Sequence, residues 1–401
     1  MPRQVLILGA STRAAAHSAT RAGLNPICAD LFADADLRAC AQVLDVTNYP
    51  RGLPAVVGDA PACPWLYTGG LENHPGLIAR IAATRPLWGN GPQEVRSVRD
   101  PWHVRKLLED AGLPSLRVWS RDAPPPAPDG RWMAKPLCGA AGRAIRIWDR
   151  GHLLPEAHYF QERCAGRPVS AVFLAVPHDA LLLGITRQLV GLQEAHAPAF
   201  AWCGTITPIQ LPPPVVHTIR SVGQHLGRAA ALRGLFGCDF VVDRAGAWLT
   251  EVNPRYPAST ELVERVLQAP LLDWHRRACE SFEGGASFAA PPSGGPSASP
   301  EGGTISSPIL GKIILYADCR FTVPDFTRFI FRPSHRGTVD GISLKQSLPF
   351  MADIPSPGAL IERGQPVCTL FARADTEANC FNKLIRRSKR IYSQLRESSH
   401  G

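Results

Sequence analysis

Hydrophobic residues along the chain alternate between short strand-like runs and helical spacings, and the first runs predict a parallel sheet. Residues 4–9 have the pattern of a buried strand, residues 11–22 have the spacing of a small-residue helix that ends at Gly23, and residues 26–30 form a second strand pattern. A strand, a helix and a strand in this order indicate a βαβ unit. Further along, the pattern predicts helices over 102–111, 215–233 and 260–282, and strands that begin at Pro114 and cover 131–135, 145–148, 169–176 and 180–187.

The most informative pattern is a predicted hairpin, in which residues 238–242 and 247–252 flank a polar turn that contains a glycine. Glu251 and Asn253 are two residues apart, so both side chains leave the same face, and strand pairing brings Asp239 beside them. Two carboxylates and an amide oxygen, without His or Cys, suit Mg²⁺ better than Zn²⁺. Arg255 adds a fixed positive charge, and the group predicts a phosphate-handling site.

A second segment joins a lysine to a glycine-containing loop. The strand over 131–135 delivers Lys135, and Gly139 and Gly142 follow it. One ammonium group together with several backbone N–H donors is what a polyphosphate requires. The lysine precedes the glycines, so this is not a Walker A sequence, and the alternative is a surface lysine before an ordinary turn.

Two further segments leave alternatives open. The stretch 159–170 reads either as a strand that offers its backbone to an adenine edge or as an edge strand with a turn. The turn Gly9–Arg13 lacks the G-x-G-x-x-G spacing, which argues against a dinucleotide site. Ser11, Thr12 and Arg13 either bind an anionic group at the helix N-terminus or form a cap with a solvated arginine.

Composition places the chain among ordinary globular proteins. It has 401 residues, 45% hydrophobic and 19% charged, which suffices for two or three domains. The net charge of +9 comes almost wholly from arginine, since only six residues are lysine. This skew indicates a compositional bias or an anionic substrate. No apolar run approaches the roughly 20 residues of a membrane span, and the eleven cysteines form no C-x-x-C pair, so we expect a soluble cytoplasmic protein.

The three segments around Lys135, Gln161 and Asp239, in this order, resemble the ATP-grasp superfamily over roughly residues 97–282. The stretches 8–16, 234–240 and 251–255 look like the predicted carboligases related to biotin carboxylase. The resemblance implies ATP and Mg²⁺ or Mn²⁺ as cofactors. It also implies an α/β and α+β ATP-grasp fold with a parallel α/β domain before it.

The resemblance also assigns roles to individual residues. Lys135 would contact the α- and β-phosphates under the loop of Gly139 and Gly142. The metal would be held by Asp239, Glu251 and Asn253, and Arg255 would stabilise the acyl-phosphate step. The adenine and ribose positions correspond to Gln161, Glu162, Cys164 and Ser170.

Two positions depart from the family pattern. A lysine is expected after the aspartate at position 100, to contact the α-phosphate, but Pro101 stands there, so Arg105 or Lys106 would have to supply that contact. Ser170 stands where the ribose position is often acidic or histidine. Both departures put nucleotide affinity in question and leave the fold unaffected.

The chain divides into four predicted parts: a pre-ATP-grasp domain over 1–95, the ATP-grasp domain over 96–282, a linker rich in Gly, Pro and Ser over 283–307, and a C-terminal unit over 308–401. Residues 352–372 look like the hammerhead-type β unit of carboxylase-related proteins, without a Met-Lys-Met biotinylation site. The basic helix 383–392 has apolar residues at helical spacing, which favours a solvated charged face over a nucleic-acid surface.

The sequence therefore predicts an ADP-forming carboxylate–amine ligase with small-molecule substrates, with a role in one-carbon cofactor biosynthesis as one hypothesis. Arg255 is the predicted catalytic residue, and Arg187 either orients a substrate carboxylate or is structural. A bicarbonate-activating carboxylase-type enzyme and a non-catalytic nucleotide-binding protein are the alternatives. No membrane partner is expected, and the residues leave self-association open.

Overall fold

The computed structural model describes residues 3–149, 154–284, 308–325 and 348–398. Most of the predicted linker, residues 285–307, lies outside the described residues. The first two linker positions, 283 and 284, belong to a helix. Within the described ranges, no helix is both long and apolar enough to cross a bilayer.

The N-terminal part is built around a four-stranded sheet. Its strands are β1 (Gln4–Gly9), β2 (Asn25–Asp30), β3 (Gln42–Leu44) and β4 (Trp65–Tyr67), in the order β3-β2-β1-β4. Its helices are α1 (Arg13–Arg21), α2 (Ala35–Arg38), α3 (Leu53–Asp59), α4 (Pro75–Ala82) and α5 (Pro92–Arg99). All three strand pairs are parallel, which confirms the predicted βαβ opening.

A small antiparallel sheet follows helix α6 (Pro101–Asp110). Its strands are β5 (Val118–Ser120), β6 (Trp132–Pro136), β7 (Arg146–Ile147) and β8 (His158–Glu162), in the order β5-β8-β6-β7. The strand predicted from Pro114 begins four residues later. The edge-strand alternative for residues 159–170 is wrong, because β8, the strand with which this stretch begins, pairs on both sides, and its consecutive residues Tyr159 and Phe160 are both buried.

The third sheet has eight strands and extends to the C-terminal part of the chain. Its members are β9 (Arg167–Val176), β10 (Asp179–Val190), β11 (Trp202–Thr207), β12 (Gly234–Val242), β13 (Ala247–Asn253), β14 (Ile309–Tyr316), β16 (Met351–Ala352) and β18 (Pro366–Ala374). The order is β13-β12-β9-β10-β11-β14-β18-β16. A separate pair, β15 (Phe321–Thr322) and β17 (Leu360–Ile361), completes the strands. The predicted C-terminal unit thus continues the sheet that carries the hairpin, and its status as a separate domain stays a prediction.

Four helices cover this sheet: α7 (Pro213–Ala229), α8 (Thr260–Leu267), α9 (Leu271–Gly284) and α10 (Glu377–Ser398). The prediction of one helix over 260–282 is wrong, because Gln268 adopts a left-handed backbone with φ of 52° and Pro270 cannot continue the helix. On α7, Gly223 lets the helix approach the ring of Phe173, since a Cβ would lie 2.1 Å from that ring. On α10, Leu384 and Ile391 are buried while Arg386, Lys389 and Arg390 are exposed, as predicted for a solvated basic face.

A buried ion-pair network joins the N-terminal part, helix α8 and the C-terminal strands. The Arg13 side chain, only 3% exposed, donates to Glu261 at 2.6 Å and to Asp353 at 2.7 Å. Lys312 on β14 donates to the same Glu261 at 2.8 Å. Both alternatives for Arg13 are therefore wrong, because its guanidinium is already paired with carboxylates of the protein and is buried from solvent. The backbone N–H of Thr12 is likewise satisfied within the protein, by the Asp30 carboxylate at 2.5 Å.

Asp34 lies beside this network and should make stability depend on pH. Burial raises the pKa of Asp34 to about 8, and the nearby Asp353, Asp30 and Asp36 carboxylates add to the rise. The folded protein therefore keeps a proton that the unfolded chain releases near pH 4, and the stabilisation from that proton is lost as pH rises through 8.

We expect Asp34→Asn to raise the thermal midpoint relative to the parent protein by an amount that grows between pH 5.5 and 8.5. The amide replaces the protonated acid and does not titrate. Thermal unfolding of both proteins at those two pH values measures the effect. An equal difference at both values would contradict the raised pKa of Asp34.

Candidate active site

The hairpin of β12 and β13 places two carboxylates side by side. Asp239 pairs with Glu251 across the two strands, and on its other side it pairs with Ser170 of β9. Directly paired residues of antiparallel strands share a face of the sheet, so the three side chains form one polar row. Burial raises the pKa of Asp239, and a hydrogen bond from Ser170 partly offsets that rise. Ser170 therefore lies against the predicted metal site, whereas the resemblance had placed it at a ribose position.

A bulge in the hairpin positions Lys135. The register shifts between Asp239 and Phe240, so Thr250 has no paired residue on β12. The free Thr250 carbonyl accepts a hydrogen bond from Lys135 Nζ at 2.9 Å, and Gln161 Oε1 accepts another at 3.0 Å. Bulges commonly redirect groups beside active sites. Lys135 and Gln161 thus lie next to β13, the strand that carries the predicted metal ligand Glu251.

The two carboxylates differ in their electrostatics. Burial raises the pKa of Asp239 to about 6, and the neighbouring Glu251 adds to that rise. Burial acts in the same direction on Glu251, but the positive charges of Arg99, Lys135 and Arg255 outweigh it and lower the pKa of Glu251. Glu251 is therefore the more acidic carboxylate of the pair, while Asp239 takes up a proton near pH 6.

Asn253 and Arg255 extend the row toward the N-terminal part. The Asn253 amide donates to Asp239 Oδ2 at 3.0 Å, and its oxygen accepts from Arg255 Nη2 at 2.9 Å. Arg255 also donates to Glu72 Oε1 at 3.1 Å and packs beside Gly69. Because its oxygen faces Arg255, Asn253 links the carboxylate to the arginine, and its role as a metal ligand stays a prediction.

The glycine-containing loop lies across the cleft from the hairpin. A Cβ on Gly142 would meet the Phe200 carbonyl at 1.9 Å, and its φ of 74° disfavours other residues. The close approach that this glycine permits is therefore to the protein's own backbone. The Gly139 carbonyl accepts from Arg99 at 3.1 Å, and Arg99 also pairs with Glu251.

One cleft joins part of the charged group to an apolar wall. Lys135, Gly139, Gly142, Gln161 and Glu251 line it together with Arg99, Arg105 and Arg143. Its apolar lining includes Val98, Val104, Leu108, Leu116, Val118, Ile145 and Leu249. A polar end next to an apolar slot fits a ligand that has a flat ring at one end and charge at the other.

The structure places three of the predicted residues elsewhere. Glu162 points away from the cleft and pairs with the exposed Arg117 at 2.8 Å. Cys164 contacts Asp243 at 3.4 Å in the hairpin turn, where burial and that carboxylate raise the thiol pKa to about 12. Arg187 pairs with Val169, the neighbour of Ser170, so its side chain leaves the opposite face of the sheet and binds Glu377 at 3.0 Å.

Sequence reasoning missed Arg99, Glu72 and Asn73. Arg99 immediately precedes Asp100, next to the position where the expected lysine is absent, and that departure was the available signal. Glu72 is 3% exposed, and its Oε2 has no hydrogen-bond partner among the described residues. Of the two cations considered as substitutes, Arg105 lines the cleft, whereas Lys106 pairs with Asp110 on the exposed side of α6.

The donor set fits a hard divalent cation that shares its coordination with phosphate. Asp239 and Glu251 supply two adjacent carboxylates on one face. Across the described ranges, no three His, Cys, Asp or Glu side chains are grouped to hold a metal ion on their own. Two carboxylates with remaining positions for phosphate and water are typical of Mg²⁺ and unlike a closed zinc site.

Comparison with known proteins agrees with this geometry. Residues 98–259 match the family model of the ATP-grasp domain. The fold is similar to pyruvate carboxylase from Rhizobium etli, with a TM-score of 0.67, 15% identity and 96% of this chain covered, although the chain spans only 37% of that protein.

Two other solved structures are similar along nearly their whole length. A biotin carboxylase–β-γ-ATP complex from Campylobacter jejuni has a TM-score of 0.63 and 12% identity, covering 94% of this chain and 89% of that one. Phosphoribosylamine–glycine ligase from Thermotoga maritima has a TM-score of 0.62 and 13% identity, covering 96% of each. No curated protein sequence matches this chain. Residues 98–259 are thus an ATP-grasp domain, and the chain as a whole has the ATP-grasp fold that its motifs predicted.

Proposed function

We propose that this protein is an ADP-forming ligase that activates a carboxylate as an acyl phosphate and joins it to an amine. The observation that carries the proposal is the paired Asp239 and Glu251 with Lys135, Arg99 and Arg255 around them. Glu72 balances Arg255, and Lys135 and Arg99 offset the two carboxylates, so a bound divalent cation and Arg143 in the cleft lining would add the positive charge that suits a polyphosphate. The apolar wall beside them fits a purine ring.

The reaction requires positioning and charge stabilisation more than covalent chemistry by the protein. A carboxylate oxygen of the substrate attacks the γ-phosphorus of ATP, the bond from that phosphorus to the β,γ-bridging oxygen breaks, and ADP leaves. The amine nitrogen then attacks the acyl carbon, loses a proton and displaces phosphate. Mg²⁺, when bound by Asp239 and Glu251, would neutralise phosphate charge.

The protein's own groups have separate tasks in this scheme. Lys135 is held between Gln161 and the Thr250 carbonyl, so its charge is fixed before the nucleotide binds. Arg255 is fixed by Glu72 and Asn253, and it would offset the charge that develops on the transferred phosphoryl group. The similarity to phosphoribosylamine–glycine ligase supports a carboxylate–amine reaction at the level of the fold.

The deciding experiment follows an isotope label. Purified protein with Mg²⁺ and ATP is given panels of amines and carboxylic acids whose carboxylates carry ¹⁸O, with bicarbonate as a separate arm. We expect ADP release that requires both substrates, and one ¹⁸O atom in the phosphate produced. ADP release with bicarbonate alone would favour the carboxylase-type alternative. ATP binding without ADP release in any arm would favour a non-catalytic nucleotide-binding protein and contradict the ligase.

A further inference from the structure

Arg99 connects four parts of the molecule at the edge of the cleft. It is the last residue of α5, and its side chain is 13% exposed. Its Nη1 donates to Glu251 on β13, and its Nη2 donates to the Gly139 carbonyl and to Asn73 Oδ1, each at 3.1 Å. Asn73 donates in turn to the same Gly139 carbonyl at 3.2 Å. One guanidinium group thus ties the glycine-containing loop to the hairpin and to the N-terminal part.

These contacts use the group that a metal ion would need. Glu251 is one of the two carboxylates proposed to hold the ion, and Arg99 Nη1 donates to it directly. A divalent cation at Glu251 would be repelled by a guanidinium bound to the same carboxylate. The planar guanidinium of arginine spreads five N–H donors over three nitrogen atoms and so spans acceptors that are far apart, whereas the donors of a lysine all lie on one nitrogen. The positive charge of Arg99 therefore affects metal binding, while the spread of its donors affects the position of the glycine-containing loop.

We propose that Arg99 is a positioning residue that holds the Glu251 carboxylate and the glycine-containing loop together in the metal-free protein and yields Glu251 to the metal ion. The inference rests on the proposed metal–nucleotide role of the site. It goes beyond that role, because Arg99 would compete with the metal ion for the Glu251 carboxylate. The proposal predicts that the positive charge of Arg99 lowers the affinity of the site for the metal ion. It also predicts that the order of the glycine-containing loop depends on the several donors of the Arg99 guanidinium.

The first test measures Mn²⁺ binding to the nucleotide-free protein by the electron paramagnetic resonance signal of free Mn²⁺. We expect Arg99→Met to bind Mn²⁺ roughly tenfold more tightly than the parent protein, because one positive charge near the ion is removed. Arg99→Lys should stay near the parent affinity, since the charge remains. Unchanged or weaker binding in Arg99→Met, or no Mn²⁺ binding by any variant, would overturn the competition.

The second test measures loop order by the rate of tryptic cleavage after Arg143, an exposed residue of the loop. Both Arg99→Met and Arg99→Lys should be cleaved faster than the parent protein, because neither side chain reaches Glu251, Gly139 and Asn73 together. Asn73→Ala should increase cleavage while leaving Mn²⁺ affinity unchanged, and it serves if Arg99→Met does not fold. Equal cleavage of all variants would overturn the tie to the loop.

Arg96→Met is the matched control. Arg96 lies on α5, as Arg99 does, but it is exposed and is not part of the cleft lining. Neither readout should change in this variant. Both measurements are made without ATP turnover, so a failed ligase assay and a failed Arg99 test would be told apart.

Discussion

Replacing Glu251 with glutamine should abolish ADP formation while the protein remains folded. The amide keeps the size of the side chain and a hydrogen-bond acceptor for Arg99, but it removes one negative charge from the carboxylate pair. Asp239 alone cannot hold a divalent ion well, and in-line phosphoryl transfer depends on charge neutralisation. We expect a loss of at least a thousandfold, on the order of the effect of removing one preorganised charged group.

Glu109→Gln is the control for that experiment. Glu109 lies on α6 near the cleft and is paired with Arg105, but its side chain is 48% exposed and does not contact the hairpin. Steady-state ADP release, with circular dichroism to verify folding, should show parent activity in Glu109→Gln. Full activity in Glu251→Gln would refute the assignment of the metal carboxylate.

Replacing Arg13 with methionine should destabilise the protein by about 3–5 kcal/mol, the cost of breaking a buried ion pair on one side. The change leaves Asp353 with Thr369 and Glu261 with Lys312 as their remaining hydrogen-bond partners. Glu261 stays buried and Asp353 half-buried at the junction of three parts of the chain. Chemical denaturation with urea measures the free energy of unfolding.

Arg38→Met is the matched comparison for Arg13. Arg38 belongs to α2 in the same part of the chain, but its pair with Asp45 is exposed, at 45% and 79% of the two side chains. An exposed pair contributes at most about 1 kcal/mol. If the two variants lose the same free energy of unfolding, the network around Arg13 does not hold the three parts together.

The parts of the site that the sequence predicted are those set by local spacing. Asp239, Glu251 and Asn253 were found because strand alternation and one short turn fix their relative positions. Lys135 was found because a strand ends where a glycine-containing loop begins. Each of these inferences requires only the geometry of a single strand or hairpin.

The residues that were missed or misplaced depend on distant partners. Arg99 meets Glu251 across 152 positions, and Arg255 meets Glu72 across 183. The partners of Arg13, Glu261 and Asp353, lie 248 and 340 positions away in the sequence, so no local pattern distinguishes Arg13 from a solvated arginine. Gly142 does make a close approach, but to the Phe200 carbonyl, and its predicted approach to a polyphosphate stays a prediction. Gln268 and Pro270 were a local signal for the helix break that was overlooked.

The continuous eight-stranded sheet has a consequence for shortened forms of the protein. A chain that ended at Gly284 would lack β14, which pairs with β11 along four residues, and Lys312, the second partner of Glu261. The bare edge of β11 would then expose unpaired N–H and C=O groups beside apolar residues such as Ile206 and Cys203, which normally pack against the C-terminal strands and helix. Such an edge is a template for self-association. The ATP-grasp half produced alone should therefore aggregate, and adding the C-terminal segment as a separate chain should restore its solubility by supplying the missing strand.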